Sequence, residues 1–258
     1  MTFTYAVAPE LPFLRRYSRA ITGSQVLGDA AVRETLEAIL AAPEEFNVDG
    51  PARLELYRVF HKIWQPIVAS LGGNDNNPEM SARARQVLML TAVEGFSLKD
   101  AGDILMTDVD ALSSDLEAAK AFMANSLKSQ VMIIEDEAII ALHIQSIVKG
   151  VGHDVLGVAR THAEAVKMAK DTNPELVLAD ISLADGSSGI DAVKEILENI
   201  DLPVIFVTAF PERLLTGERP EPTFLITKPF EPIMLTATIA QALLTDREQK
   251  FALAQRAT

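Results

Sequence analysis

From Gln130 onward the chain alternates short β-branched runs with helix-length segments, and few folds accept that rhythm other than a parallel sheet with helices on both faces. The runs are Val131 to Ile134, Asp154 to Val158, Leu176 to Asp180, Val204 to Thr208 and Phe224 to Thr227. Helical periodicity fills Glu137 to Lys149, Ala163 to Lys170, Gly189 to Asn199, a weak Pro211 to Leu215, and Pro232 to Arg247 or beyond. The expectation for residues 130–258 is an α/β domain with a five-stranded parallel sheet and helices on both faces.

Ligands of such sheets bind beyond the carboxyl ends of the strands, so the residues that close each run matter most. The first run is followed by Glu135 and Asp136, the third ends in Asp180, the fourth ends in Thr208, and the fifth is followed by Lys228 and Pro229. Converging carboxylates repel one another, so this set requires a divalent cation beside the lysine ammonium. The donors are all hard oxygens, which selects Mg2+, with a phosphoryl group completing the octahedron.

An acidic pair, a lone aspartate, a threonine and a lysine at successive strand ends resemble the receiver domain of two-component response regulators. The resemblance covers about 125 residues from Gln130 and implies a flavodoxin-like (βα)5 fold. It implies that Asp180 accepts a phosphoryl group from a phosphohistidine donor, a sensor histidine kinase or phosphotransfer protein. It also implies that Glu135, Asp136, Asp180 and the backbone carbonyl of Ser182 hold Mg2+, and that Thr208 and Lys228 contact the phosphoryl oxygens. Haloacid dehalogenase-like phosphatases use similar residue types, but their nucleophile opens an Asp-x-Asp pair on the first strand and their acidic pair comes last. Here the acidic pair comes first and Asp180 is followed by Ile181-Ser182. The sequence departs from the common receiver pattern at two places. The aromatic switch position three before the lysine is Leu225, leaving Phe210 and Phe224 as the candidate rings. The loop Ser182 to Gly189 lacks the customary proline and is one residue longer.

Residues 1–125 read as helix, with apolar positions three and four apart and no strand-like alternation. The expected helices are Leu11 to Ile21, Ser24 to Leu40, Pro51 to Leu71, Met80 to Glu94, Leu98 to Leu105 and Asp108 to Met123, with Ser24, Ser81, Ser97 and Asp108 as caps or first-turn residues. The Gly/Asn/Pro stretch over 72–77 forms a linker between two helical parts, 1–71 and 78–125. Arg15, Arg16 and Arg19 read as a solvated basic face.

The run Arg85-Gln86-Val87-Leu88-Met89-Leu90 and the turn Glu94-Gly95-Phe96-Ser97-Leu98 are similar to region 4 of extracytoplasmic-function sigma factors. The upstream helices, with Arg53-Leu54-Glu55-Leu56-Tyr57 and Trp64, resemble region 2. A DNA-reading helix-turn-helix needs basic and amide side chains on its second helix. The segment Thr107 to Glu117 has four acids and no base. A sigma-shaped scaffold that DNA would repel, placed before a receiver, resembles the PhyR-type general stress response regulators. That resemblance implies partner switching: phosphorylation at Asp180 frees the sigma-like half to sequester an anti-sigma factor of the NepR type.

Composition narrows the alternatives. The net charge of −13 disfavours nonspecific attachment to nucleic acid or anionic membrane, and the absence of cysteine excludes thiolate chemistry and disulfides. The four histidines form no metal-binding pair, no apolar run reaches the roughly 18 residues of a membrane span, and the first basic residue is Arg15. A cytoplasmic protein that contacts neither DNA nor membrane is expected, catalysing nothing beyond its own phosphorylation and dephosphorylation. The competing reading is a DNA-binding regulator or true sigma factor gated by its receiver. A phosphatase and an adaptor with a vestigial receiver stand behind it.

Overall fold

A computed structural model describes residues 3–47, 50–70, 80–125, 128–183, 185–211, 214 and 222–256. The chain divides into two compact units, Met1–Phe122 and Met123–Thr258. The expected linker over 72–77 lies outside the described residues, as does most of the weak helix from Pro211 to Leu215.

In the first unit the helices are α1 (Phe3–Val7), α2 (Leu11–Thr22), α3 (Gln25–Ala41), α4 (Ala52–Ser70), α5 (Ala82–Leu88), α6 (Leu98–Leu105) and α7 (Val109–Asn125). Side-chain caps set the starts of α3, α5 and α6. Ser24, Ser81 and Ser97 each accept the amide three residues on, and Ser97 and Asp100 close a full capping box. The helix expected from Met80 to Glu94 is shorter than the pattern suggested. After α5 the backbone widens into a π-helical turn over Met89–Val93, with the Glu94 amide reaching back to the Met89 carbonyl at 3.0 Å.

Helices α2 and α3 cross closely at Gly28, where a Cβ would lie 2.7 Å from the Arg19 backbone nitrogen. Tyr17, Leu56, Tyr57 and Phe60 are fully buried, and Trp64 stacks on Phe60 at 6.3 Å. The turn between α6 and α7 passes through Met106 at φ 50°, and Gly102 gives it room, since a Cβ there would meet the Thr107 carbonyl at 3.1 Å.

Of the three arginines read as a solvated face, Arg16 and Arg19 are buried instead, and Arg15 is half-buried beside Asp29 at 3.4 Å. Arg19 has no exposed side-chain surface and pairs with Asp29 at 2.8 Å, while Arg16 reaches Glu94 at 2.8 Å. Burial is tolerated because each guanidinium meets a carboxylate in charge-assisted hydrogen bonds.

The second unit carries β1 (Gln130–Ile134), α8 (Ala138–Gly150), β2 (Asp154–Ala159), α9 (His162–Thr172), β3 (Leu176–Ala179), α10 (Gly189–Leu197), β4 (Val204–Thr208), β5 (Phe224–Thr227) and α11 (Pro232–Arg256). Its sheet is parallel, in the order β2-β1-β3-β4-β5, the flavodoxin-like arrangement. Strands β1 and β3 are central and almost wholly apolar because both faces are covered. One core cluster joins Met132, Ile134, Val177, Ala179, Ile196 and Leu225 beneath α9 and α10. No helix among the described residues is long and apolar enough to cross a membrane.

Candidate phosphorylation site

The sheet register brings the strand ends level. Ile134 lies opposite Ala159 and Ala179, and Thr208 lies opposite Thr227. Backbone bonds carry the ladder one residue further: Glu135 donates to the Ala159 carbonyl at 2.9 Å, Asp180 to Ile134 at 2.8 Å, and Lys228 to Thr208 at 2.8 Å. Residues far apart in sequence are thus fixed at one edge by main-chain geometry, before any side-chain interaction.

The side chains then converge. Lys228 donates from Nζ to Asp180 Oδ2 and to Glu135 Oε2, both at 2.7 Å. Asp180 Oδ1 accepts the Ile181 amide at 2.6 Å, and Glu135 Oε1 accepts the Glu137 amide at 3.2 Å. Each of Glu135, Asp136 and Asp180 offers an oxygen within 4.8 Å of the others. Glu135 and Asp180 are buried and Asp136 is half-buried.

The electrostatics follow from that crowding. Burial raises the Glu135 carboxyl above its ordinary value; the Lys228 bond opposes the rise and the nearby Asp180 charge adds to it. Burial works to lower the Lys228 ammonium, but the two carboxylates together outweigh it and hold its pKa above the usual lysine value. Counted by formal charge, three carboxylates and one ammonium leave −2, the complement of one divalent cation. The all-oxygen donor set fits Mg2+.

Thr208 closes β4 fully buried, and its hydroxyl accepts the Phe210 amide at 3.2 Å. Ser182, two residues past Asp180, is half-buried and bridges to Ser188 across the loop. The two candidate rings are unlike. Phe224 is packed at 4% exposure, whereas Phe210 is 47% exposed and tied through its amide to Thr208. Leu225, at the position where an aromatic is customary, is core.

Two features escaped the sequence reading. The Arg160 guanidinium donates to the Asp136 carbonyl at 2.8 Å, bracing the acidic pair from the end of β2. Gly189 is required by close approach, since a Cβ there would collide with the carbonyl oxygen of Asp180. Each depends on a neighbour at least nine residues away, so no local pattern announces it.

In the helical unit, α6 and α7 form the expected helix-turn-helix. Asp108, Asp110 and Glu117 are exposed on it, and Asp115 is taken up by Arg83. That surface opposes a phosphate backbone.

Comparison with known proteins agrees with both units. Residues 7–61 match the Sigma2 domain of PhyR, 78–125 the sigma-like domain of response regulator PhyR, and 131–240 the response regulator receiver domain. The phyllosphere-induced regulator PhyR of Methylorubrum extorquens is 46% identical over 255 residues, covering 94% of this chain and 95% of its own. The chain belongs to the PhyR family. Crystal structures of PhyR proteins extend the match to three dimensions. The response regulator PhyR from Brucella abortus superposes with a TM-score of 0.89 at 46% identity, over 99% of this chain and 100% of that one. The anti-anti-sigma factor PhyR from Bartonella quintana gives 0.88 at 47% identity, over 98% and 100%.

Proposed function

We propose that this PhyR-family chain is a phosphorylation-gated anti-anti-sigma factor of the general stress response. In this reading Asp180 receives a phosphoryl group from a phosphohistidine of a sensor kinase or phosphotransfer protein. Phospho-Asp180 frees the sigma-like half to sequester a NepR-type anti-sigma factor, and a stress sigma factor is thereby released. The observation that carries it is the presence in one chain of a strand-end carboxylate cluster of formal charge −2 and a sigma-like half whose second helix-turn-helix helix is acidic.

The chemistry needs only positioning and charge neutralisation. A carboxylate oxygen of Asp180 attacks phosphorus, the donor's N–P bond breaks with its electron pair leaving on the imidazole, and no protein base is required. Ile181 holds the carboxylate through its amide, and Lys228 is already within reach of an added phosphoryl oxygen. Glu135, Asp136, Asp180 and the Ser182 carbonyl would hold Mg2+, which when bound neutralises charge on the transferring group. The Thr208 hydroxyl, at the end of β4, would donate to an oxygen of the added group. Phe210 is the ring with room to follow it, because it is exposed and its amide hangs on the Thr208 hydroxyl. Turnover of an external substrate forms no part of the proposal.

Calorimetric titration of a NepR-type anti-sigma factor into the wild type and Asp180→Ala tests this, each with and without Mg2+ and beryllofluoride as acyl-phosphate mimic. Tight binding by activated wild type alone is the expected result. Equal binding in all four conditions would remove the gate, and no binding in any would remove the partner. The rival, a receiver-gated promoter binder, requires salt-sensitive DNA binding that the acidic Thr107 to Glu117 segment opposes.

A further inference from the structure

The loop after Asp180 is longer than in ordinary receivers and carries no proline, so something else must hold it. The structure gives it a hairpin-like form. At its base the Gly189 amide donates to the Ile181 carbonyl at 2.8 Å; next, Ser182 and Ser188 pair; then Leu183 donates to the Ser187 carbonyl at 3.3 Å, and Gly186 to Leu183 at 3.0 Å. The two limbs therefore move together, and whatever fixes the outgoing limb fixes Ser182.

Ser187 fixes it. The start of a helix leaves amides without intrahelical acceptors. In α9 the Thr161 hydroxyl takes the Glu164 amide at 3.2 Å, and the Ser187 hydroxyl oxygen takes the His162 amide at 3.1 Å. Ser187 Oγ in turn donates to Asp185 Oδ1 at 2.5 Å, and that same oxygen accepts the Ser187 amide at 3.0 Å. The His162 ring, hydrogen-bonded to Glu195 at 2.8 Å, ties the start of α9 to α10, the helix into which the loop runs. The loop is thus seated on a rigid helix end, with the hydroxyl oriented by its own turn.

We propose that Ser187 is a positioning residue for the phosphorylation chemistry, holding the loop on the first amide of α9 so that the Ser182 carbonyl faces the metal position. The inference rests on the receiver reading above. It assigns to a serine hydroxyl the rigidity that a proline gives elsewhere. A residue that orients a metal ligand without touching the ion typically changes metal affinity by 10–100-fold on mutation.

The test uses the full chain as wild type, Ser187→Ala, Ser187→Thr and Asp180→Asn. Three quantities are measured: Mg2+ affinity by calorimetry, the Mg2+ concentration that half-saturates labelling by acetyl phosphate, and the melting temperature without metal. The expected result is roughly tenfold weaker Mg2+ binding in Ser187→Ala with a matching shift in half-saturation. The metal-free melt should be unchanged within about 2 °C, and Ser187→Thr, which keeps the hydroxyl, should restore affinity. Unchanged Mg2+ affinity in Ser187→Ala overturns the inference. So does a loss of affinity that tracks a lowered metal-free melt, or one that Thr fails to repair. If wild type takes no label, or Asp180→Asn labels as well as wild type, the receiver reading itself falls and takes this inference with it.

Discussion

Both units bury carboxylates, and they treat them oppositely. In the helical unit Glu94 has no exposed side-chain surface, and four donors saturate it: Arg16 through two nitrogens at 3.1 and 2.8 Å, Arg53 at 2.8 Å and the Tyr57 hydroxyl at 2.9 Å. Arg53 also pairs with Glu10 at 3.4 Å and lies 4.8 Å from the centre of the Phe96 ring, so two acids meet two bases and the charge sums to zero. In the receiver one lysine reaches two of three clustered carboxylates, Glu135 and Asp180 but not Asp136, and the formal sum is −2. A closed balance makes a fastener, and an open one makes a site. The turn Glu94-Gly95-Phe96-Ser97, which in sequence resembles a sigma-factor helix-turn-helix, is here a clasp. It ties the region-4-like helices to α2 and α4, and the π-helical turn before it delivers the glutamate.

Removing the clasp should have the largest effect. Glu94→Ala leaves the buried Arg16 guanidinium without its carboxylate and half-buried Arg53 with Glu10 alone, and should destabilise the helical unit by about 3 kcal/mol. Trp64 is the chain's sole tryptophan and is buried in α4, so fluorescence during urea unfolding reports on this unit. A loss under about 1 kcal/mol would show that the balance at Glu94 contributes little.

Acid should also strike the helical unit. His61 is buried, shares a 2.8 Å hydrogen bond with the Tyr17 hydroxyl, and is held neutral by burial with its pKa lowered to about 3. Its ordinary value is 6.5, so between 6.5 and 3 the unfolded chain binds a proton that the folded chain refuses. Stability is therefore full above pH 6.5 and falls as pH drops, by up to about 1.4 kcal/mol per unit. Unfolding free energies from urea titrations followed by Trp64 fluorescence at pH 7 and 5 should differ by about 2 kcal/mol. His61→Phe should flatten that slope, and an unchanged slope would move the acid sensitivity to another group.

Legibility in the sequence followed the range of the interactions. Alternation marked β4 and β5 to the residue, and the caps Ser24, Ser81 and Ser97 marked helix starts, because both signals are local. Glu135, Asp136, Asp180, Thr208 and Lys228 could be singled out because a parallel sheet converts sequence position after a strand into spatial position. Arg16 was misread because its partner is 78 residues away, and a charge run seen locally looks solvated. Arg19 was misread although Asp29 is only 10 residues on, since the pairing depends on the tight crossing at Gly28. Ser187 lies in a loop that the sequence marks only by its extra residue and missing proline, and only the docking of the α9 start gives it a role.

A substitution that neutralises one acid in each unit sharpens the contrast, because the signs should differ. Glu94→Gln keeps the shape but leaves the arginines short of one charge, and the Trp64 transition should weaken. Asp136→Asn relieves a cluster already over-supplied with negative charge, so the metal-free receiver should gain about 1 kcal/mol, the scale of a close pair at partial exposure. Wild type should be stabilised by Mg2+ as any binder of the folded state stabilises it, and Asp136→Asn should respond less because a ligand is gone. Receiver unfolding can be followed by circular dichroism after the Trp64 transition is subtracted, with and without 10 mM-scale Mg2+, roughly the excess needed to saturate a weak site. If Asp136→Asn weakens the metal-free receiver as Glu94→Gln weakens the helical unit, the strand-end cluster is as closed as the clasp. The open balance that marks it as a site would then be wrong.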